Sequence, residues 1–389
     1  MKEVYLDNAA TTKPLPCVMD AMVDAMNKDF GNPSSLHRKG IDAENILKEA
    51  SSFFAGALGA QKEEIFYTSG GTESNNTAIL GTCYAYQRRG KRIITTAIEH
   101  ASVREVFKHL ESEGFEVITI GVDSKGMILE DELEKAINEE TILVSIMHIN
   151  NEIGSIQKIE RLGNLIKGKN PKTVFHVDAI QSFGKIPIHV KKSKIDLLSI
   201  SGHKFYGPKG IGILYRSKNT RVIPLLYGGG QQMNMRSGTQ NIPGIAGIHA
   251  AGKYVYTHFE QVHRHYRQQK AYLTEGILTE IPHCKINGPL LEEGAPHILN
   301  VAFKDIRAEV LLHALEQKGI YVSSGSACNS NKKGINTVLK AIGCTGEDLD
   351  NAIRFSFGLE TEIEDITYAL EELKTQVAVL RKYKVGGKK

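Results

Sequence analysis

The chain has 389 residues, of which 41% are apolar and 24% charged, and carries a formal net charge of +4. This is enough apolar material for a full core and, because single cores stop growing near roughly 250–300 residues, for two domains. Mild, evenly spread charge gives no reason to expect nucleic acid as a direct partner, and the polar opening MKEVYLDNAATTKPLPCVMD excludes a signal peptide or a membrane span, which predicts a cytoplasmic location.

Ser34 or Ser35 is the expected cap of a helix running to Leu58, with Ile46, Leu47, Ala50, Phe53, Phe54, Ala57 and Leu58 in one apolar stripe and Gly59 as its stop. From residue 60 to 216, apolar or β-branched runs alternate with helical stretches: EIFYTSG, RIITTAIEH, TILVSIMHINN, TVFHVDAIQ, DLLSISGHK and GIGILYR. The alternation predicts an α/β fold, a mainly parallel sheet with helices on both faces. A glycine-rich stretch, YGGGQQMNMRSGTQN, leads into a long helix over about residues 245–279. A small α+β domain then reads as strand ILNVAF, helix AEVLLHALEQKG, a loop holding Cys328, strand AIRFSFG and a terminal amphipathic helix from Glu362 to about Tyr383. The expected division is a large domain of residues 16–250 and a small one of residues 1–15 and 251–389. The basic tail RKYKVGGKK reads as solvated chain.

Five cysteines (Cys17, Cys83, Cys284, Cys328, Cys344) are odd in number and contain no C-x-x-C pair, so neither a disulfide framework nor a structural zinc site is expected. His258 and His265 would lie two helical turns apart, about 10 Å, too far to share an ion, and no metal is expected there.

In open parallel sheets ligands bind beyond the carboxyl ends of the strands. Five of the six runs end there in polar or glycine-rich clusters: Thr68 to Thr72, Glu99 with His100, Asn150 with Asn151, Asp178 with Gln181, and Ser201 to Lys204. A strand-end lysine, Lys204, behind a strand-end carboxylate, Asp178, is what a pyridoxal phosphate enzyme requires. The amine would form a Schiff base with the cofactor aldehyde, and the aspartate would keep the pyridine nitrogen protonated. In TSGGTESNN, the backbone N–H groups of Gly70, Gly71 and Thr72 at a helix start, with the Thr72 hydroxyl, would hold a phosphate. His100 is a candidate to stack on the ring and move protons. Arg354, in a strand otherwise apolar, either grips a substrate carboxylate or forms an internal salt bridge. Asn151 either shares that carboxylate or serves as a turn residue. SSGSACNS sets Cys328 among small residues, as a mobile nucleophile would require.

Taken together, YLDNAATT, FGNPSSLH, TSGGTESNN, EH at 99 and 100, SIMHINNEIG, HVDAIQSFGK, SGHKFYGPKGIG, GGGQQMNMRSGTQN, ILNVAF, SSGSACNS and IRFSFG, in order from Tyr5 to Gly358, resemble the motif series of the cysteine desulfurases of the NifS/IscS type. These are class V aminotransferase-like pyridoxal phosphate enzymes of fold type I, with a seven-stranded sheet in the large domain. The resemblance implies that Lys204 is the Schiff-base lysine and Asp178 the partner of the pyridine nitrogen, and that Gln181 bonds the ring hydroxyl. It implies that Gly71, Thr72, Ser201 and His203 hold the phosphate, completed by Thr239 from the neighbouring subunit of a homodimer. His100 would stack on the ring, Asn151 would touch the cofactor and share the substrate carboxylate with Arg354, and Cys328 would take sulfur from L-cysteine as a persulfide, leaving L-alanine. The acceptor implied is an iron-sulfur scaffold protein or a tRNA-thiolation enzyme. The choice stays open, because NSNKKGINT after Cys328 differs from the familiar members and the chain lacks the extended tail by which some of them dock the scaffold. Competing readings are a selenocysteine lyase or another enzyme of the same class, in which Cys328 is dispensable, and a non-catalytic scaffold subunit.

Overall fold

The structure, a computed structural model, describes residues 2–324 and 336–383. β1 (Val4–Tyr5) leads to α1 (Pro16–Asn27) and α2 (Arg38–Leu58). α2 is capped by His37 rather than by Ser34 or Ser35: the His37 ring accepts from Gly40 N, whereas Ser34 N is engaged by Asn32 Oδ1 in the preceding turn. Gly59 ends the helix with φ 68°, and Ala50, Phe54 and Leu58 of the expected stripe are buried.

The central sheet comprises β2 (Ile65–Thr68), β3 (Arg92–Thr96), β4 (Glu116–Ile120), β5 (Thr141–Met147), β6 (Val174–Asp178), β7 (Leu197–Ser201) and β8 (Gly212–Arg216). Its order is β2-β8-β7-β6-β5-β3-β4, and β8 alone runs against its neighbours. Between strands lie α3 (Gly71–Tyr86), α4 (Ala101–Ser112), α5 (Glu130–Ala136) and α6 (Ile159–Lys169). Six strands correspond to the apolar runs of the sequence. The seventh, β4, is an edge strand whose sequence EVITI buries fully only its last residue, so it carries no continuous apolar signal. By contrast every residue of β5 is buried, as a central parallel strand requires.

The single helix expected over residues 245–279 is two, α7 (Ile242–Thr257) and α8 (Phe259–Glu280). They part at His258, where backbone N and ring Nδ1 converge on the one carbonyl of Tyr254. Beyond them, β9 (Cys284–Ile286), β10 (Ile298–Phe303), β12 (Ser323–Ser324) and β13 (Ala352–Ser356) form an antiparallel sheet of order β12-β13-β10-β9, while β11 (Ile320–Tyr321) pairs in parallel with β1. α9 (Ala308–Glu316), α10 (Thr337–Ala341) and α11 (Ile363–Lys382) complete this region, with α11 packed on α8 and α9. The segment after β1 crosses between the two sheets: Asp7 bridges in parallel to Ser356, and Thr12 N donates to His203 O. Among the described residues no helix is long and apolar enough to cross a membrane.

Candidate active site

The carboxyl ends of β2, β3, β5, β6 and β7 open on one cavity of about 390 Å³, within the range of small-molecule sites. Lys204 closes a single 3-10 turn directly after β7 and donates from Nζ to the carbonyls of Ala9 (2.8 Å) and Ala10 (2.7 Å). Asp178 is the last residue of β6 and is buried; its Oδ1 accepts from Ile180 N (3.0 Å) and its Oδ2 from Asn75 Nδ2 (2.8 Å). Burial pushes this carboxyl above its ordinary range, while those two hydrogen bonds and the positive fields of His100 and Lys204 pull it back.

His100 caps α4, with ring Nδ1 accepting from Ser102 N (3.1 Å) and lying 2.9 Å from Ser102 Oγ. Burial lowers its pKa, Asp178 opposes this, and Lys204 and Arg104 add to it. Gln181 donates from Nε2 to Ala9 O (2.9 Å), and its Oε1 lies 3.4 Å from Nε2 of the buried His297. At the opposite end, α3 begins at Gly71 with no side-chain cap, the kind of helix start that can hold an anion; of the three N–H groups expected there, that of Gly70 donates to Thr68 Oγ1 at 3.4 Å. Thr72, Ser201 and His203 line the same end. His203 Nδ1 lies 3.1 Å from Thr11 Oγ1, and burial together with Lys204, Lys209 and Lys185 pushes its pKa down to about 4.

Arg354 stands in the middle of β13, buried, with Nη2 donating to Asp7 Oδ1 (2.7 Å) and Nη1 to Asn151 O (2.9 Å). It therefore forms the internal ion pair and also lines the cavity with Asn151. Thr239 is exposed and is not part of this chain's cavity wall. Cys328 lies outside the described residues; Ser323, which pairs with Arg354 across β12 and β13, lines the cavity. The runs also ended in polar residues with structural work alone. Glu99 is buried, accepting from Thr96 Oγ1 (2.6 Å) and Met147 N (2.9 Å), and Asn150 donates to Ile98 O (3.0 Å).

Sequence reasoning assigned no role to Asp7, Ala9, Ala10, Asn75 or Ser102, all of which touch the groups above. Asn75 had a local signal, since it sits one helical turn beyond Gly71 and so on the same face of α3. Asp7 had none, because its partner is 347 residues away.

The cavity fits pyridoxal phosphate at each end. A Cβ at Gly71 would fall 2.2 Å from Ile180 Cδ1, so the backbone there is kept bare beside the cavity. A buried carboxylate held by two donors, Ile180 N and Asn75 Nδ2, suits a protonated ring nitrogen. Lys204, on the same floor, is the amine for the aldehyde.

A parallel sheet whose strand ends supply these groups defines a pyridoxal phosphate enzyme of fold type I. The description "Aminotransferase class-V" fits residues 4–368. Cysteine desulfurase IscS of Methanosarcina thermophila is 44% identical over 380 residues, 98% of this chain and 93% of that one. Among solved structures, a NifS-like protein superposes with a TM-score of 0.92 at 38% identity, covering 97% of this chain and all (100%) of the other. SspA in complex with cysteine superposes with a TM-score of 0.81 at 34% identity, covering 91% and 98%. The chain belongs to the class-V aminotransferase family and, within it, to the pyridoxal phosphate-dependent cysteine desulfurases.

Proposed function

We propose that the chain takes sulfur from L-cysteine onto Cys328 as a persulfide, leaves L-alanine, and passes the sulfur to an acceptor protein. The observation that carries this reading is the convergence of Lys204, Asp178, His100, Gln181 and Arg354 on one cavity with an uncapped helix start at its far end. The solved relative bound to cysteine supports the substrate.

When bound, pyridoxal phosphate supplies an aldehyde for the substrate amine and an electron-withdrawing ring that acidifies the α C–H. Gly71 N–H, Thr72, Ser201 and His203 would hold its phosphate, and Asp178 would keep a proton on its ring nitrogen. Gln181 faces the ring hydroxyl. Arg354 and Asn151 hold the substrate carboxylate, which fixes the α C–H relative to Lys204. Lys204 would be the amine that bonds the aldehyde at rest and, as a free amine, would take the substrate α-proton at Nζ; the carbonyls of Ala9 and Ala10 accept from that Nζ and position it. His100, whose pKa burial lowers, is the group that accepts the thiol proton. The Cys328 thiolate forms the S–S bond as the substrate C–S bond breaks, and the electron pair of that bond stays with the carbon fragment that becomes alanine.

The finer features belong to the same reading: a division at residues 16–250 against 1–15 with 251–389, a homodimer in which Thr239 completes the neighbour's phosphate site, a cytoplasmic location, and an acceptor in iron-sulfur cluster assembly or tRNA thiolation. Purified protein loaded with pyridoxal phosphate should release alanine and, with a thiol reductant, sulfide in equal amounts from L-cysteine. Cys328→Ala should lose sulfide release while still binding the cofactor. Equal alanine production by wild type and Cys328→Ala would refute the persulfide route.

A further inference from the structure

The segment after β1 reaches the site from the other end of the chain and contacts it repeatedly. The Ala9 and Ala10 carbonyls accept from Lys204, Ala9 O also accepts from Gln181, and Thr11 sits against His203. At its head is Asp7, tied by backbone to Ser356 two residues from Arg354 on β13. Arg354 has two of its three nitrogens engaged, Nη1 by Asn151 O at 2.9 Å and Nη2 by Asp7 Oδ1 at 2.7 Å, while Nε is buried without a hydrogen-bond partner. A guanidinium is a rigid planar fork, so two fixed acceptors determine its plane and the direction of the N–H groups that remain. Asp7, Asn151 and Arg354 all line the cavity. Asp7 supplies the only carboxylate ion-paired with Arg354 among the described residues.

We propose that Asp7 is the positioning residue of Arg354: the bond it accepts from Nη2 aligns the guanidinium so that its remaining N–H groups meet the α-carboxylate of the amino-acid substrate, and its charge keeps Arg354 paired before that carboxylate arrives. The inference rests on Arg354 being the carboxylate grip of the proposed function. Asp7 does not touch the reacting bonds, so its removal weakens binding more than turnover.

The test uses the full chain loaded with pyridoxal phosphate, as wild type, Asp7→Ala and Asp7→Asn. Two quantities are read: kcat and KM for alanine formation from L-cysteine, and the dissociation constant of L-alanine from the change in visible absorbance. L-alanine carries the same carboxylate and no sulfur. In Asp7→Ala both KM and the L-alanine constant should rise by about tenfold or more, the scale of one charge-assisted hydrogen bond, while kcat falls by less than threefold. Asp7→Asn, which keeps a neutral acceptor and the shape of the side chain, should recover part of that loss. The proposal is overturned if Asp7→Ala leaves both constants within twofold of wild type, if Asp7→Asn is no better than Asp7→Ala, or if kcat falls as much as KM rises. A wild type that binds L-alanine yet makes none from L-cysteine would defeat the functional reading alone, and Asp7 would still be judged on L-alanine binding.

Discussion

At the scale of single residues, burial and hydrogen bonding compete for each titratable group, and the winner sets its chemistry. Burial raises the Asp178 carboxyl, and the bonds from Ile180 N and Asn75 Nδ2, with the fields of His100 and Lys204, work against that rise. Asn75→Ala should therefore weaken cofactor binding by about tenfold, since a hydrogen bond to a charged group contributes roughly 1.5–3 kcal/mol. Equilibrium titration with pyridoxal phosphate measures it, and unchanged affinity would remove Asn75 from the site. Lys204→Ala should abolish the visible absorbance of the lysine-bound cofactor, and borohydride should label the peptide holding residue 204 and no other. pH acts through buried neighbours. Glu99 is raised to about 8 by burial, so relative to an unfolded value of 4.5 its acid form favours the folded state; that stability is complete below 4.5 and lost as pH rises through 8. His148, lowered to about 4, and His176, lowered to about 3, act in the opposite sense: their contribution is complete above 6.5 and lost as pH falls through those values. Glu99→Gln, which keeps an acceptor for Thr96 and Met147, should match wild type in Tm below pH 4.5 and exceed it above pH 8, by roughly 1–3 kcal/mol in stability. A wild-type Tm flat from pH 6 to 9 would contradict the assignment.

At the scale of elements, the site is an outcome of strand ends. Each parallel strand delivers its carboxyl-terminal residues to the same edge, so the apolar runs and the polar clusters behind them were visible together in the sequence; the shared placement of Asp178, Ser201, His203, Lys204, His100 and Asn151 follows from that periodicity, while the roles of Ser201 and His203 came only from the family resemblance. What stayed hidden had physical causes. β4 lies at the sheet edge and lacks a buried face of any length. The break at His258 depends on how one carbonyl is shared, which no apolar period encodes. Arg354 left two readings open in sequence, a substrate-carboxylate grip and an internal salt bridge; the structure shows the ion pair and places Arg354 on the cavity wall, and the pairing residue Asp7 arrives through a parallel bridge that joins opposite ends of the chain. The start of α3 is the element most sensitive to a small change. A methyl at Gly71 would meet Ile180 Cδ1, the end of a side chain that itself lines the cavity, so making room there disturbs the cavity wall. Gly71→Ala should accordingly lower affinity for pyridoxal phosphate more than it lowers Tm. A Tm loss with intact cofactor binding would place the glycine's role in packing instead.

At the scale of the whole molecule, the exposed apolar surface and the position of Thr239 raise one question. Met19, Val23 and Met26 follow helical spacing along one face of α1 and are 49%, 49% and 52% exposed, and Phe30 and Leu36 continue the apolar character at 67% and 98%. Covering such half-exposed side chains contributes roughly 1 kcal/mol apiece, which favours a second copy of the chain as their cover. Thr239 is exposed and is not among the residues lining its own cavity, the placement expected of a residue that serves a neighbour's phosphate site. A mixed dimer separates the two arrangements. One subunit carries Lys204→Ala and the other Thr239→Ala, with different tags for isolation. If Thr239 acts across the interface, the subunit that retains Lys204 receives an intact Thr239 from its partner, and the mixed dimer has one site of wild-type affinity and half of wild-type turnover. If Thr239 acts within its own chain, that same site lacks the threonine, and affinity for pyridoxal phosphate stays at the weakened value of the Thr239→Ala homodimer. Light scattering should find the wild type dimeric, and replacing Met19, Val23 and Met26 together by serine should shift it toward monomer with a matching loss of cofactor affinity. A monomer of full affinity, or a mixed dimer no better than Thr239→Ala alone, would rule out the shared site.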